Sequence, residues 1–348
     1  MKVFIADIHS STVNGKRTGH FIALARNYKE LFGDDCIIAG GPVYKNSFKE
    51  EDLLVLPYNV LLGQNSIIVR FKNFVNAIRL FRKAKGQCII LQQCATITTF
   101  LCILLFYHKR SRLFMIQYSL EGFRMGMGSL LYKLARHKID GLICPNDMVG
   151  KAYGIPYCVV PDYIYTKGAL DRTALIPFKE RKYDFGIIGR IAPGKGCVES
   201  AKILAGTKYK IIIAGRPQNQ DLENELKKVC EGCDNIELRL GFISDEEYKY
   251  LMNLCRYSLL NYQEEYSRRS SGVVFDMLFS GVPVVGNHCL ALDFIGEKKL
   301  GCLFDSLDCF DFDSIMDEKI YNSYLDNIVE YCTSHGQYKK KLSEFLLQ

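Results

Sequence analysis

Short apolar runs alternate with longer amphipathic stretches along almost the whole chain, and this alternation constrains the fold more than any other feature. Val3–Ala6 reads as a first strand and Gly19–Leu31 as a helix, with Phe21, Ile22, Leu24, Ala25 and Leu31 as its apolar residues. Asp35–Ala39 is a strand, Ile67–Lys85 a helix, Cys88–Leu91 and Leu113–Gln117 strands, and Leu130–His137 a helix. Gly141–Cys144 and Tyr157–Val160 are strands around a helix that begins near Asn146. The pattern then restarts. Asp184–Ile188, Lys210–Ala214, Ile236–Leu240, Tyr257–Asn261 and Val282–Val285 read as strands. Helices fall near Cys197–Ala205, Asp221–Cys230, Asp245–Cys255 and Val273–Phe279, and Tyr321–Leu347 looks helical with mixed charge. Apolar strands separated by helices predict parallel sheets covered on both faces.

A chain of 348 residues accommodates two such units. The expected organisation is a first α/β domain over 1–163, a linker over 164–182 carrying Pro177, a second α/β domain over 183–325, and a C-terminal helix over 326–348 able to pack back on the first domain. The fold class is therefore α/β: two doubly wound, Rossmann-like domains facing a cleft. Ligands of open α/β sheets bind at the carboxyl ends of the strands.

Composition narrows the function classes. Hydrophobic residues make up 48% and charged residues 24%, which describes a packed core and not a disordered chain. The net charge of +7 is mild. The basic residues are not interleaved with stacking aromatics in a nucleic-acid module, so no nucleic-acid partner is expected. A mild positive excess suits an anionic substrate or an anionic membrane surface. The fourteen Cys are scattered, mostly inside apolar runs, and Cys230-Glu-Gly-Cys233 has no partner pair. That excludes a disulfide scaffold and fits a reducing, cytoplasmic compartment. Met1–Asp7 is too short and too quickly polar for a signal peptide.

Two segments bear on membranes. Cys88–Tyr107 is twenty residues without a charge, long enough to span a bilayer, but Gln92, Gln93 and several Thr interrupt it. A buried strand, Cys88–Gln92, followed by a helix over about Ala95–Tyr107 fits equally well. Ile67–Lys85 places Ile67, Phe71, Phe74, Val75, Ile78 and Phe81 at helical spacing and carries Arg70, Lys72, Arg79, Arg82, Lys83 and Lys85 with no acid. It is either a core helix with a solvated basic face or a helix that lies on an anionic membrane. His108–Arg112 would extend the same basic patch.

Two motifs carry chemistry. Ser270-Ser271-Gly272 opens a short helix that ends in Gly281-Val282-Pro283 and a buried strand. Backbone N–H groups at a helix start suit a phosphate, and Asp276, one turn in, suits ribose hydroxyls. Upstream, Gly189-Arg190-Ile191-Ala192-Pro193-Gly194-Lys195-Gly196 follows an apolar strand. Arg190 offers a planar fork and Lys195 a point charge, a good pair for a diphosphate. The turn is neither a Walker motif nor a G-x-G-x-x-G fingerprint.

Taken together, about Tyr183 to Asp305 resembles the C-terminal half of GT-B glycosyltransferases that take nucleotide-activated sugars. Arg190 and Lys195 match that family's diphosphate turn in type and spacing, and Ala214-Gly215 ends the next strand as in the family. Gly241-Phe242 then precedes Ser244-Asp245-Glu246-Glu247, a capping-box pattern. The resemblance implies that Gly189, Arg190, Lys195, Ser270, Ser271 and Gly272 hold the donor diphosphate. Asp276 would meet the ribose, and Gly215 and Phe242 would border the base. Many configuration-retaining members carry two Glu seven residues apart in this region. The second corresponds to Asp276, whereas the first falls at Arg268, a reversal of charge. Arg268 and Arg269 are either a solvated basic face or contacts to the diphosphate or to an acidic sugar.

The first half resembles the family more weakly, through the Gly15–His20 loop opening into a helix. Asp7, His20 and Glu121 are the candidates for a general base that deprotonates an acceptor hydroxyl. Asp162 is assigned to the hinge. The resemblance implies a transferase of hexosyl type that moves a sugar from a nucleotide-diphosphate donor to a lipid-linked or surface-glycan acceptor, as in polysaccharide or lipopolysaccharide biosynthesis. It implies no metal and no cofactor beyond the co-substrate, and peripheral attachment to the cytoplasmic face of a membrane through Ile67–Lys85. An epimerase of nucleotide sugars with the same fold, and a non-catalytic binding protein, stay open, as does the stereochemical course.

Overall fold

The computed structural model describes residues 1–13, 16–17, 21–61, 64–92, 95–120, 126–161, 170–264, 270–334 and 336–347. In chain order the first elements are β1 Val3–Asp7, β2 Ser11–Val13, β3 Lys16–Arg17, α1 Phe21–Phe32, β4 Cys36–Gly40, β5 Leu53–Val55, β6 Val60–Leu61 and α2 Ser66–Lys83. Then come β7 Cys88–Gln92, α3 Ile97–Phe106, β8 Arg112–Ile116, α4 Met127–Ala135, β9 Gly141–Cys144, α5 Asp147–Tyr153 and β10 Tyr157–Val159. The second series is β11 Tyr183–Ile188, α6 Cys197–Leu204, β12 Ile211–Gly215, α7 Gln220–Val229, β13 Ile236–Leu240, α8 Asp245–Asn253 and β14 Cys255–Leu260. It closes with α9 Gly272–Leu278, β15 Val284–Asn287, α10 Asp293–Glu297, β16 Gly301–Phe304, α11 Glu318–Ser334 and α12 Gly336–Leu347.

The chain divides into two compact units, residues 1–166 with 336–348, and residues 167–335. The first unit holds a seven-stranded sheet of order β10-β9-β8-β7-β1-β4-β5, and the second a six-stranded sheet of order β13-β12-β11-β14-β15-β16. Every pairing in both sheets is parallel. Both are doubly wound, because the chain first builds outward from β1 or β11 in one direction and then in the other. The order reverses between β1 and β7 in the first unit and between β11 and β14 in the second, and such switch points open a crevice at the strand ends. β1, β7, β11 and β12 are buried along their whole length, as their unbroken apolar runs predict.

In the first unit the buried residues of α2, α3, α4 and α5 cover one face of the sheet, and those of α1 and α12 cover the other. Asn65, Thr96, Asn146, Asn219 and Ser244 cap α2, α3, α5, α7 and α8 by accepting a backbone N–H of the first turn. The uncharged segment after Gly86 resolves into β7 and the ten-residue α3. No described helix is long and apolar enough to cross a membrane.

Three features differ from the sequence reading. β5, β16 and the small sheet β3-β2-β6 are two to four residues long, too short for periodicity to reveal. The C-terminal helical stretch is two helices: α11 packs Tyr321 and Leu325 into the second unit, whereas α12 packs Leu342 and Leu346 into the first. The Arg112 guanidinium donates to the Leu346 carbonyl at 2.6 Å and fixes α12 there. The described part of the expected linker, 170–182, is built into the second unit. Leu175 and Phe178 pack on its core, and the buried Arg181 donates to the carbonyls of Ile176, Cys255 and Gly281 at 3.0, 2.6 and 3.2 Å.

Candidate functional site

In the second unit the switch point lies where β11 opens into the Gly189–Gly196 turn. A small depression there is lined by Ile188, Gly189, Arg190, Lys195, Leu260 and Tyr262. The turn is laced to the loop after β12. Gly189 donates to Ala214, Ile191 to Arg216 and Gln218 to Ile191, at 2.8, 3.0 and 2.9 Å. Gly215 permits this approach. Its φ is +147°, and a Cβ there would stand 1.6 Å from the Gly189 carbonyl oxygen. Gly196, at φ +58°, starts α6 and leaves no room for a Cβ, which would stand 2.0 Å from the Asn261 carbonyl oxygen. Two sequence-predicted glycines are therefore fixed by neighbouring backbone.

The cations project from this frame. Arg190 is exposed and Lys195 half-buried. The Lys195 amine lies 3.6 Å from where a Cβ on Gly189 would stand, and a Val273 methyl on the first turn of α9 lies 3.3 Å from the same point. The Gly189 turn, Lys195 and the start of α9 therefore converge. Arg216, which the sequence reading passed over, is a third exposed cation at the neighbouring strand end.

α9 begins at Gly272 after Ser271, whose side chain makes no capping bond to the helix. Its Oγ sits 2.6 Å from the Tyr262 hydroxyl in a buried contact. Tyr262 is clasped at its backbone by Asn287: its N–H donates to Asn287 Oδ1 and its carbonyl accepts from Asn287 Nδ2, both at 2.7 Å. Asn287 at the end of β15 thus holds the chain just before the 265–269 segment, and Tyr262 holds the chain just after it. Arg268 and Arg269 lie outside the described residues.

Asp276 sits in α9, and the Tyr248 hydroxyl donates to its Oδ2 at 3.2 Å. Burial above all, and then the Asp276 charge, push the Tyr248 phenol well above its ordinary range, so it stays a donor. Ser244 caps α8 through the Glu247 N–H at 3.1 Å, which is half of the expected capping box; the Glu247 carboxylate instead accepts from Arg239 at 3.3 Å. Phe242 is 80% exposed beside Gly241 and, with Arg216, lines an open depression at the ends of β12 and β13. Neither Tyr248 nor the Tyr262–Asn287 pair was singled out from the sequence, because each acts through a partner distant in the chain.

In the first unit Asp7 ends β1 and is fully buried. Its Oδ1 accepts from the Ser10 N–H at 3.0 Å and its Oδ2 from the Tyr44 hydroxyl at 2.8 Å. Ser10 in turn donates to the Asp7 carbonyl and accepts from the Gly41 N–H, both at 2.7 Å, and adopts a left-handed φ of +42°. Asp7 therefore serves as the anchor of a strained turn, because both its oxygens are engaged within the fold. His9 stands at the centre of that turn, its Nδ1 2.8 Å from the Asn73 amide of α2. Gln92 and Gln117, at the ends of β7 and β8, are buried, and the Gln92 amide and the Gln117 Nε2 have no hydrogen-bond partner among the described residues. His20, Glu121 and Asp162 lie outside the described residues.

Asp311-Phe312-Asp313 has the spacing of a metal-binding pair, but Asp313 accepts from Lys208 and Tyr209 at 2.6 and 2.9 Å, and Asp311 caps a turn. Among the described residues no group of three His, Cys, Asp or Glu side chains could hold a metal ion.

No known family profile matches the chain, and no curated protein matches it in sequence. Solved structures do match. A glycosyltransferase from Rickettsia africae ESF-5 aligns over 100% of this chain and 98% of its own, with a TM-score of 0.71 and 12% identity. The fold is that of the GT-B glycosyltransferases. A UDP-forming α,α-trehalose-phosphate synthase from Burkholderia vietnamiensis aligns over 99% of this chain and 97% of its own, with a TM-score of 0.72 and 10% identity. An E. coli trehalose-6-phosphate structure bound with UDP-2-fluoro glucose covers 100% and 99%, with a TM-score of 0.72 and 10% identity.

Proposed function

We propose that this chain transfers a sugar from a nucleotide-diphosphate donor to a lipid-linked or surface-glycan acceptor. The observation that carries the reading is the convergence of the Gly189 turn, the Lys195 amine and the first turn of α9 at the switch point of the second sheet. Departure of the nucleotide leaves negative charge on the diphosphate. Arg190, Lys195 and the first amides of α9 are placed to stabilise that charge without a metal ion. Asp276, which accepts from the Tyr248 hydroxyl, is assigned to the ribose hydroxyls, and the exposed Phe242 to the base.

On the acceptor side the turn anchored by Asp7 presents His9, which we place against the acceptor hydroxyl, with Asp7 as its positioning residue. The trehalose-phosphate synthases and the UDP-2-fluoro glucose complex support a nucleotide-sugar donor by fold alone. Membrane attachment and a cytoplasmic location belong to the same proposal, as partners suited to a lipid-linked acceptor.

The test is calorimetric titration of UDP, GDP and ADP, and of their sugar conjugates, into the protein and into Lys195→Ala and Arg190→Ala, with and without a chelator. One nucleotide should bind, each variant should weaken it at least tenfold, and the chelator should change nothing. Absence of binding by every nucleotide would overturn the donor site. Binding that needs a divalent ion would overturn its metal independence.

A further inference from the structure

Two buried asparagines stand in the middle of α2. Asn73 is 3% exposed and Asn76 0%, and the other buried residues of the helix are Ala77, Leu80 and Phe81. Asn is a poor residue for a helix interior, and a buried amide is costly unless it is hydrogen-bonded. Lying three residues apart, the two amides share one side of the helix. Both reach the turn that follows β1. Asn76 Nδ2 donates to the carbonyls of Ile8 and Tyr58, both at 2.9 Å, and its Oδ1 accepts from the Tyr58 N–H at 3.0 Å. That amide braces backbone. Asn73 instead meets a side chain: its Nδ2 lies 2.8 Å from Nδ1 of His9.

The direction of that contact decides where the imidazole carries its proton. An amide nitrogen has only hydrogens to offer, so Nδ1 accepts, and the ring proton of neutral His9 sits on Nε2. In the opposite arrangement Asn73 Oδ1 would accept from an Nδ1–H. The two amide hydrogens would then point to the place that Oδ1 now occupies. Oδ1 there is buried and has no hydrogen-bond partner among the described residues. A buried carbonyl oxygen without a partner is tolerated more readily than a buried N–H without an acceptor. The balance therefore falls on the Nε2–H form. The ring also has little freedom to escape the contact. His9 is half-buried between the buried Ile8 and Ser10, and the bonds from Ser10 and Tyr44 to Asp7 fix the turn that carries it.

We propose that Asn73 is a positioning residue for His9: by donating to Nδ1 it keeps the imidazole proton on Nε2, so that His9 meets a substrate oxygen as a hydrogen-bond donor and takes no proton from it. The chemistry this selects is an uncharged oxygen with an available lone pair, such as that of a sugar hydroxyl. The inference rests on the transferase reading for naming that oxygen as the acceptor's. The tautomer is a property of the chain without any substrate.

The test is a long-range proton–nitrogen correlation spectrum of the full chain, labelled with nitrogen-15 in its six His. The His9 ring signals are the ones that vanish in His9→Gln. They should show Nε2 protonated and Nδ1 bare. Asn73→Asp replaces the donor by an acceptor-only carboxylate of the same shape, so the proton should move to Nδ1. Asn73→Ala, which adds no buried charge, should give a mixture of the two forms. A residue that merely packs on His9 would leave the tautomer alone. In turnover, His9→Gln keeps an N–H donor but cannot act as a base, and should exceed His9→Ala by about tenfold in kcat/KM.

A parent His9 protonated on Nδ1, or a spectrum unchanged in both Asn73 variants, would overturn the inference. So would a His9→Gln enzyme as slow as His9→Ala. Nucleotide titration on the same preparations separates the two readings. An Nδ1–H form with nucleotide binding intact refutes this inference alone, whereas an Nε2–H form in a chain that binds no nucleotide refutes only the donor site.

Discussion

Gly215→Ala is the sharpest test of how the proposed donor side is built. A Cβ at this position would stand 1.6 Å from the Gly189 carbonyl oxygen and 2.6 Å from its carbon, and the backbone φ is +147°. One of two segments must move. Forcing an L-residue into this conformation costs about 1–3 kcal/mol. Separating the two loops also endangers the Gly189–Ala214 and Ile191–Arg216 hydrogen bonds, each worth about 0.5–1.5 kcal/mol. The sum is about 2–6 kcal/mol, and at roughly 2–4 °C per kcal/mol for a domain of this size the melting temperature should fall by roughly 5–20 °C. If the β11 turn yields instead, the Gly189 turn moves by about 1 Å and turnover should fall about 100-fold. Differential scanning calorimetry and a turnover assay read the two outcomes, with nucleotide titration as the binding readout. Gly206→Ala is the control, since its φ is +70° but nothing lies within 4 Å of its Cβ. It should cost about 1–2 kcal/mol of strain and leave nucleotide binding intact. A Gly215→Ala protein that melts and binds nucleotide like Gly206→Ala would refute the close-approach argument.

Two further substitutions probe the second unit. Arg181 satisfies two buried carbonyls and a part-buried one with one guanidinium; Arg181→Ala should destabilise by about 3–5 kcal/mol in urea unfolding, because the orphaned acceptors stay buried, and an effect no larger than that of an ordinary surface substitution would contradict that role. Glu237 accepts hydrogen bonds from Tyr183, then Lys182 and Arg239, and these hold its carboxyl down at about 2. Its folded-state value lies below its unfolded one, so the stabilisation is present above about pH 4.5 and is lost as pH falls towards 2. Glu237→Gln should therefore cost up to about 1 kcal/mol at neutral pH, discounted for its solvent exposure, and the gap should close in acid; a gap independent of pH would show that the loss is not electrostatic.

Contiguous chemistry was legible in the sequence, and chemistry assembled across the chain was not. The Gly189–Gly196 turn could be read because strand, glycines and both cations follow one another within a single loop. Tyr262 and Asn287 could not, since neither has meaning without the other and 25 residues separate them. Tyr248 looks like any tyrosine on an amphipathic helix until the fold sets it beside Asp276. Asp7 depends on the fold in the same way: a carboxylate at a strand end invites a catalytic reading, and the hydrogen bonds it accepts from the Ser10 N–H and from the Tyr44 hydroxyl 37 residues away cannot be read from spacing. The stretch 170–182 read as linker because its Pro and charges hide the pattern, whereas Arg181 turns those charges inward to bind carbonyls.

The same distinction explains how a fold can persist at 10–12% identity. The surface of the second unit that we propose for a phosphate is made largely of backbone. It needs amides at a helix start, two glycines where chains touch, and one or two cations whose exact rotamers are free to vary. Those demands fix few residue identities, and the ones they fix are recoverable from sequence. The first unit makes its strand-end surface from side chains instead: His9 held by Asn73, and the buried Gln92 and Gln117. Side-chain surfaces discriminate among partners but leave little trace in spacing.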